Sequence, residues 1–178
     1  MNVTLRNASR IANLLDVAQP LVAWLSPCYG DADLPVRVKL VSRRAGKRGI
    51  TGVASTPVSE ARRGSRTPGY DVVVHIGELV AYPRTRPAYR QASGPITINS
   101  FAEDLCYVLA HELRHVEQYV ATRNLHAAQN PRARRLLDAD FVKAFRNHIR
   151  IHCPRGSCEV DAERVSHALV RAWREAHA

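Results

Sequence analysis

The most chemically capable stretch of this sequence is Ala110-His111-Glu112-Leu113-Arg114-His115, two histidines four residues apart with a glutamate after the first. A helix of 3.6 residues per turn brings both imidazoles to one face, and so to one ion. Glu112 then lies about 100° around that helix, beside the ion. Neutral imidazoles hold Zn²⁺ without cancelling its charge, and the ion lowers the pKa of bound water to about 7. A neighbouring carboxylate can then take the proton during attack on a scissile carbonyl. The motif interrupts an apolar helical run, where two histidines and a glutamate without a common partner would be costly to bury. The expectation is therefore a zinc-dependent hydrolase of protein or peptide substrates, with His111 and His115 as metal ligands and Glu112 as general base.

Three protein ligands plus water are the usual catalytic zinc set, so a third is required. His126, His148, His152, Glu159 and Asp161 all lie downstream. Glu159 is preferred, at the start of the last helical segment in Ser157-Cys-Glu-Val-Asp-Ala-Glu-Arg164. Here the sequence resembles the gluzincin-like peptidases, in which HExxH is followed by a second helix carrying Glu-x-x-Ala-Asp or a close variant. The resemblance covers about residues 96 to 170 and implies a zincin-like fold, Glu159 as third ligand and Glu163 supporting a ligand histidine from behind. Glu163 replaces the shorter Asp of that pattern, and Ala162 keeps the small residue that lets two helices approach. A bland cause competes for Glu159, because an acid in the first turn of a helix opposes its dipole. For Asp161 that cause is preferred. His126, eleven residues after His115, would instead resemble the SprT-like metalloproteases, which act near DNA. Ala127 stands where that family usually has glycine, and its cysteine-rich zinc ribbon has no counterpart here.

Other constellations are weaker. His167 is on the same predicted helix as Glu159 and Glu163 and could stabilise an oxyanion, as could Tyr107 or Tyr119 on the motif helix. His148, His152, Cys153 and Cys158 supply ligand types for a small structural zinc site, but a reduced turn or a local disulfide between the two cysteines is the simpler reading. Cys106 reads as a core residue.

These groups need a scaffold, and the pattern around them predicts an α+β fold: a single domain with an N-terminal helix, a small sheet, the motif helix, a connecting helix and a C-terminal helix. Ile11, Leu14, Leu15, Ala18, Val22 and Leu25 form an amphipathic stripe, with Pro20 kinking or restarting the helix. Pro35 to Ser42 alternates as a half-buried strand, Tyr70 to Ile76 reads as a second, and Pro95 to Asn99 as a short third. The stretch between, 43–69, lacks periodicity and reads as a long hairpin or loop. In a zincin fold a sheet edge beside the active helix binds the substrate backbone, a role open to the strands at 70–76 and 96–99. Ser100 and Glu103 form a capping box for the motif helix. Asn130-Pro131 opens the connecting helix. The last helix is expected to bury Ala162, Val165, Leu169 and Trp173.

Composition constrains less. The 178 residues, 46% hydrophobic, suffice for one domain with a real core. A net charge of +10 and a pI of about 10.1 invite a nucleic-acid partner, with Arg43, Arg44, Lys47, Arg48, Arg62, Arg63 and Arg66 as the contacts. The rarity of lysine among the 26 basic residues points equally to the codon bias of a GC-rich genome. No apolar run reaches the ~20 residues of a membrane helix, and the start MNVTLRNASR lacks the order of a signal peptide, so a cytoplasmic protein is expected.

Overall fold

A computed structural model describes residues 1–30, 34–42, 49–55, 70–77, 80–87, 94–129 and 157–178, with the side chains of 55 and 122–129 excepted. The seven basic residues from Arg43 to Arg66, the helix expected at Asn130-Pro131, and His148, His152 and Cys153 lie outside the described residues, as does the side chain of His126.

The chain opens with a strand that the sequence reading passed over, β1 (Asn2–Ala8), ahead of helix α1 (Leu14–Leu25). Helix α1 therefore begins after Ile11, which is exposed, and it continues through Pro20. It forms the crossover that parallel strands require, returning the chain to β2 (Pro35–Ser42), which pairs in parallel with β1. Next come β3 (Ile50–Ser55) and β4 (Tyr70–Ile76). β4 runs parallel to β2 and antiparallel to β3, giving the order β1-β2-β4-β3. Val36, Val38, Leu40, Tyr70, Val72, Val74 and Ile76 are all buried on one face, as strand alternation predicts. The half-buried opposite face carries the cross-strand pair Arg37–Asp71 at 2.5 Å.

Two expectations about the sheet need correction. The stretch read as a long hairpin or loop contains β3, which pairs antiparallel with β4 as a hairpin arm does, and β3 is the edge strand facing the motif helix. Tyr70–Ile76 is an interior strand with both sides paired, so it has no free edge to offer. Ile96–Ile98, labelled β6, pairs antiparallel with β5 (Arg84–Arg86) in a separate ribbon.

Helix α2 (Phe101–Gln129) carries the motif, and helix α3 (Ser157–Ala176) packs antiparallel against it. Ser100 Oγ accepts from the Glu103 N–H at 3.2 Å, while the Glu103 carboxylate reaches back to the Asn99 N–H at 2.7 Å, one residue beyond the expected box. Arg174, near the C-terminus of α3, donates to both Glu103 oxygens and to the Thr97 carbonyl. At the other end Arg114 Nε donates to Asp161 at 2.7 Å. The two helices are thus pinned at both ends, and the fully buried Ala162 lets them approach between. Val165, Leu169 and Trp173 are only partly buried. The stripe of α3 that α2 covers is instead Ala162, Glu163, Ser166, His167 and Val170. One hydrophobic cluster runs from Met1 through the sheet and α2 to Val170. Among the described residues no helix is long and apolar enough to cross a membrane.

Candidate metal centre

Helical spacing places Tyr107, His111, His115 and Tyr119 at four-residue steps on one face of α2. Tyr107 stacks on His111 and Tyr119 on His115, each at 6.4 Å and 20° between planes, so each imidazole is braced by a ring one turn away. The two Nε2 atoms face each other at 3.0 Å. From α3, Glu159 brings Oε2 to 3.2 Å from His111 Nε2 and Oε1 to 3.4 Å from His115 Nε2. Among the described residues, these three side chains form the one group able to hold a metal ion.

The tautomer of His115 is set from behind. The Gln118 amide nitrogen donates to the Cys158 carbonyl at 3.0 Å and to Asp161 at 2.9 Å, which leaves Gln118 Oε1 facing His115 Nδ1 at 2.8 Å. Nδ1 therefore carries a proton, which leaves Nε2 to face the Glu159 carboxylate. Two ring nitrogens and a carboxylate at these separations could hold a metal ion between them. Hydrogen bonds from His111, and then from His115, hold the Glu159 carboxyl well below the usual carboxylate range. Burial opposes a charge on His115, but the bonds to Glu159 and Gln118 prevail and its pKa is raised. In this triangle of His111, His115 and Glu159 the ring nitrogens are 3.0 Å apart and each faces a different Glu159 oxygen, at 3.2 and 3.4 Å, so that one ligand atom from each side chain lies within 4.8 Å of the others. The donor set of two imidazoles and one carboxylate also suits zinc.

Glu112 stands beside this triangle, buried, with its carboxylate receiving the Ala54 N–H of β3. Burial pushes its pKa up, against the pull of His111 and His115. The strand comes this close only because residue 52 is glycine: a Cβ there would lie 2.4 Å from Glu112 Cγ. A lone glycine within a strand pattern is the signal of such an approach, and the sequence reading left it unused. Gln118 was likewise missed, although its place three residues after His115 is a neighbouring position on the helix.

Two clefts meet at the triangle along β3, of about 340 and 370 Å³, both lined by Gly52, His111, Glu112 and Glu159. The first adds Thr51, Arg86, Tyr107 and Glu163; the second adds Val53, Ala54, Gln118 and Tyr119. Tyr107 is pushed up to about 12, chiefly by burial, and so keeps its proton at neutral pH.

The remaining sequence-predicted residues fall as follows. Glu163 is buried, with Oε1 3.9 Å from His167 Nε2. His111 Nδ1 has no hydrogen-bond partner among the described residues, so the bond expected to it from Glu163 is not made. His167 is buried against Tyr107, at 5.8 Å between rings, and lines neither cleft. Asp161 points to Arg114 and Gln118 instead of the triangle. Cys158 is disulfide-bonded, which removes its thiol from a second metal site, while Cys28 and Cys106 are free. No family model matches this chain, and neither does any curated protein or solved structure.

Proposed function

We propose that this chain is a zinc-dependent metallopeptidase of the gluzincin-like kind, with His111, His115 and Glu159 as ligands and Glu112 as general base. The observation that carries the reading is the convergence of two Nε2 atoms and a carboxylate at 3.0–3.4 Å, next to a buried glutamate. A zinc ion held there supplies Lewis acidity, polarising a scissile carbonyl and acidifying water. Glu112 takes the proton from the attacking water and delivers it to the leaving amine, a role favoured by a carboxyl whose pKa burial raises. Tyr107, neutral and on the wall of the first cleft, faces the substrate groove beside Arg86. β3 is an edge strand whose Ala54 N–H and Ile50 carbonyl are taken by Glu112 and Arg86, so a substrate strand added there would pair at Gly52, where the two clefts meet. Glu163 lines the first cleft and faces His167 at 3.9 Å.

Metal analysis of the purified chain tests this reading. About one zinc per chain is expected after supplementation, and His111→Ala or His115→Ala should abolish binding; a parent chain without stoichiometric zinc would sink the assignment. Gly52→Ala should leave zinc in place, because the ligands are on the helices. Its new methyl must displace Glu112 or β3, and a misplacement of ~1 Å can cost about 10²-fold in turnover. Peptide hydrolysis unchanged in Gly52→Ala would show that the contact does not position the base.

A further inference from the structure

Arg86 is held more firmly than a wall residue needs to be. Asp104, fully buried in α2, accepts from Tyr82 Oη at 2.9 Å, from Arg84 Nη2 at 2.5 Å and from Arg86 Nε at 2.7 Å. One carboxylate thus faces two guanidinium groups, and one positive charge is left over. Arg86 Nη2 donates to the Ile50 carbonyl of β3 at 3.0 Å, and its guanidinium lies 4.6 Å above the Tyr107 ring. With Nε, Nη2 and one face engaged, the plane of the guanidinium is fixed. Nη1 makes no hydrogen bond among the described residues, and neither does Tyr107 Oη, although both residues line the first cleft. Arg86 is absent from the second cleft, so it marks the end of the groove away from Gln118. Glu112, Glu159 and the buried Glu163 also line this cleft, and Arg86 is its one cation among the described residues.

We propose that Arg86 Nη1 and Tyr107 Oη form a carboxylate-binding subsite beside the metal centre, so that the substrate is a peptide bearing a carboxylate next to the bond that is cut. A guanidinium whose fork is already oriented loses little freedom on pairing with a carboxylate, and the phenol adds a second donor. The carboxylate is that of an acidic side chain or of the peptide's own C-terminus. As a statement about substrate, the inference rests on the metallopeptidase reading; as a statement about binding, it does not.

The test is calorimetric binding to the zinc-loaded full chain of three thiols that anchor on the ion. They are mercaptoacetyl-glutamine amide, which is neutral, mercaptoacetyl-glutamate amide and mercaptoacetyl-glutamine free acid. One of the two carboxylate ligands should bind about tenfold more tightly than the neutral one, as a charge-assisted hydrogen bond predicts. Which of them gains identifies a side chain or a terminus. Arg86→Gln should erase that difference, read as the ratio of the carboxylate and neutral ligands' affinities within the same variant, and Tyr107→Phe, which keeps the ring, should reduce it. Equal affinities in the parent chain, a comparison that needs no variant, would overturn the proposal, as would a preference that survives Arg86→Gln. In the metal-free chain, the Arg86 ¹⁵Nε resonance is followed while N-acetyl-glutamate amide or N-acetyl-glutamine amide is added. A saturable shift with the first alone supports the subsite even if zinc is not retained, and its absence counts against the subsite whatever becomes of the metal.

Discussion

Glu112→Gln is expected to abolish peptide hydrolysis while leaving zinc binding intact. The amide has nearly the same shape, and its oxygen can still accept the Ala54 N–H, so the contact with β3 survives. What is lost is the ability to take a proton, and removal of a positioned general base lowers turnover by about 10²- to 10⁴-fold. Stability should move the other way. Burial raises the folded-state pKa of Glu112, so the protonated carboxyl is the form that the fold favours. That contribution is fully present below the unfolded pKa and is lost as pH rises through the folded one. As pH rises the zinc-free parent loses it, whereas glutamine mimics the protonated form at every pH. The zinc-free variant should therefore melt at or above the parent's temperature, and the gap should close toward acid. Calorimetric melting across pH, with zinc analysis and a peptide cleavage assay, checks all three statements. A variant that keeps full activity would exclude Glu112 as the base.

Glu159→Ala should fail at a different step, because this carboxylate holds the ion and does not move a proton. Even an outer partner of a zinc ligand is worth about 10–100-fold in affinity, so loss of the ligand itself should weaken binding by about a hundredfold or more. With free zinc at about 100 times the parent Kd, the ion stabilises the fold by about 2.7 kcal/mol, and a hundredfold weaker Kd leaves about 0.4 kcal/mol. The rise in melting temperature on adding zinc should shrink accordingly, by roughly 5–9 °C for a chain of this size. Measuring that zinc-dependent increment separates ligation from the hydrogen bonds that Glu159 makes to His111 and His115 without an ion. If Glu159→Ala binds zinc like the parent and His126→Ala does not, the third ligand is on α2 and the SprT-like arrangement replaces the one proposed here.

The sequence by itself determined what local periodicity encodes. The four-residue spacing of His111 and His115 on an apolar helix, the alternation of Pro35–Ser42 and Tyr70–Ile76, and the Ser100–Glu103 cap are all visible within a few residues, and each is present in the fold. Glu159 was preferred only through a resemblance to a family pattern, because nothing local says which residue, 48 positions away, will meet His111. The antiparallel pairing of α2 with α3, clamped by Arg174–Glu103 and Arg114–Asp161, made that choice, and turned Asp161 away while bringing Glu159 in. Sheet order was equally a tertiary matter. Alternation shows that a strand has one wet face, but which neighbours it pairs with is fixed by long-range hydrogen bonds, so β4 became interior and β3 the edge. β3 itself was hidden because Gly52 breaks the pattern of side chains that reveals a strand. Its glycine has meaning only when Glu112 is in place, 2.4 Å from where a Cβ would stand. The same is true of Gln118 and Arg86: their sequence neighbours show a polar helix position and a charged residue in a stretch read as a loop, and only packing puts one behind a ligand histidine and the other on the wall of the cleft.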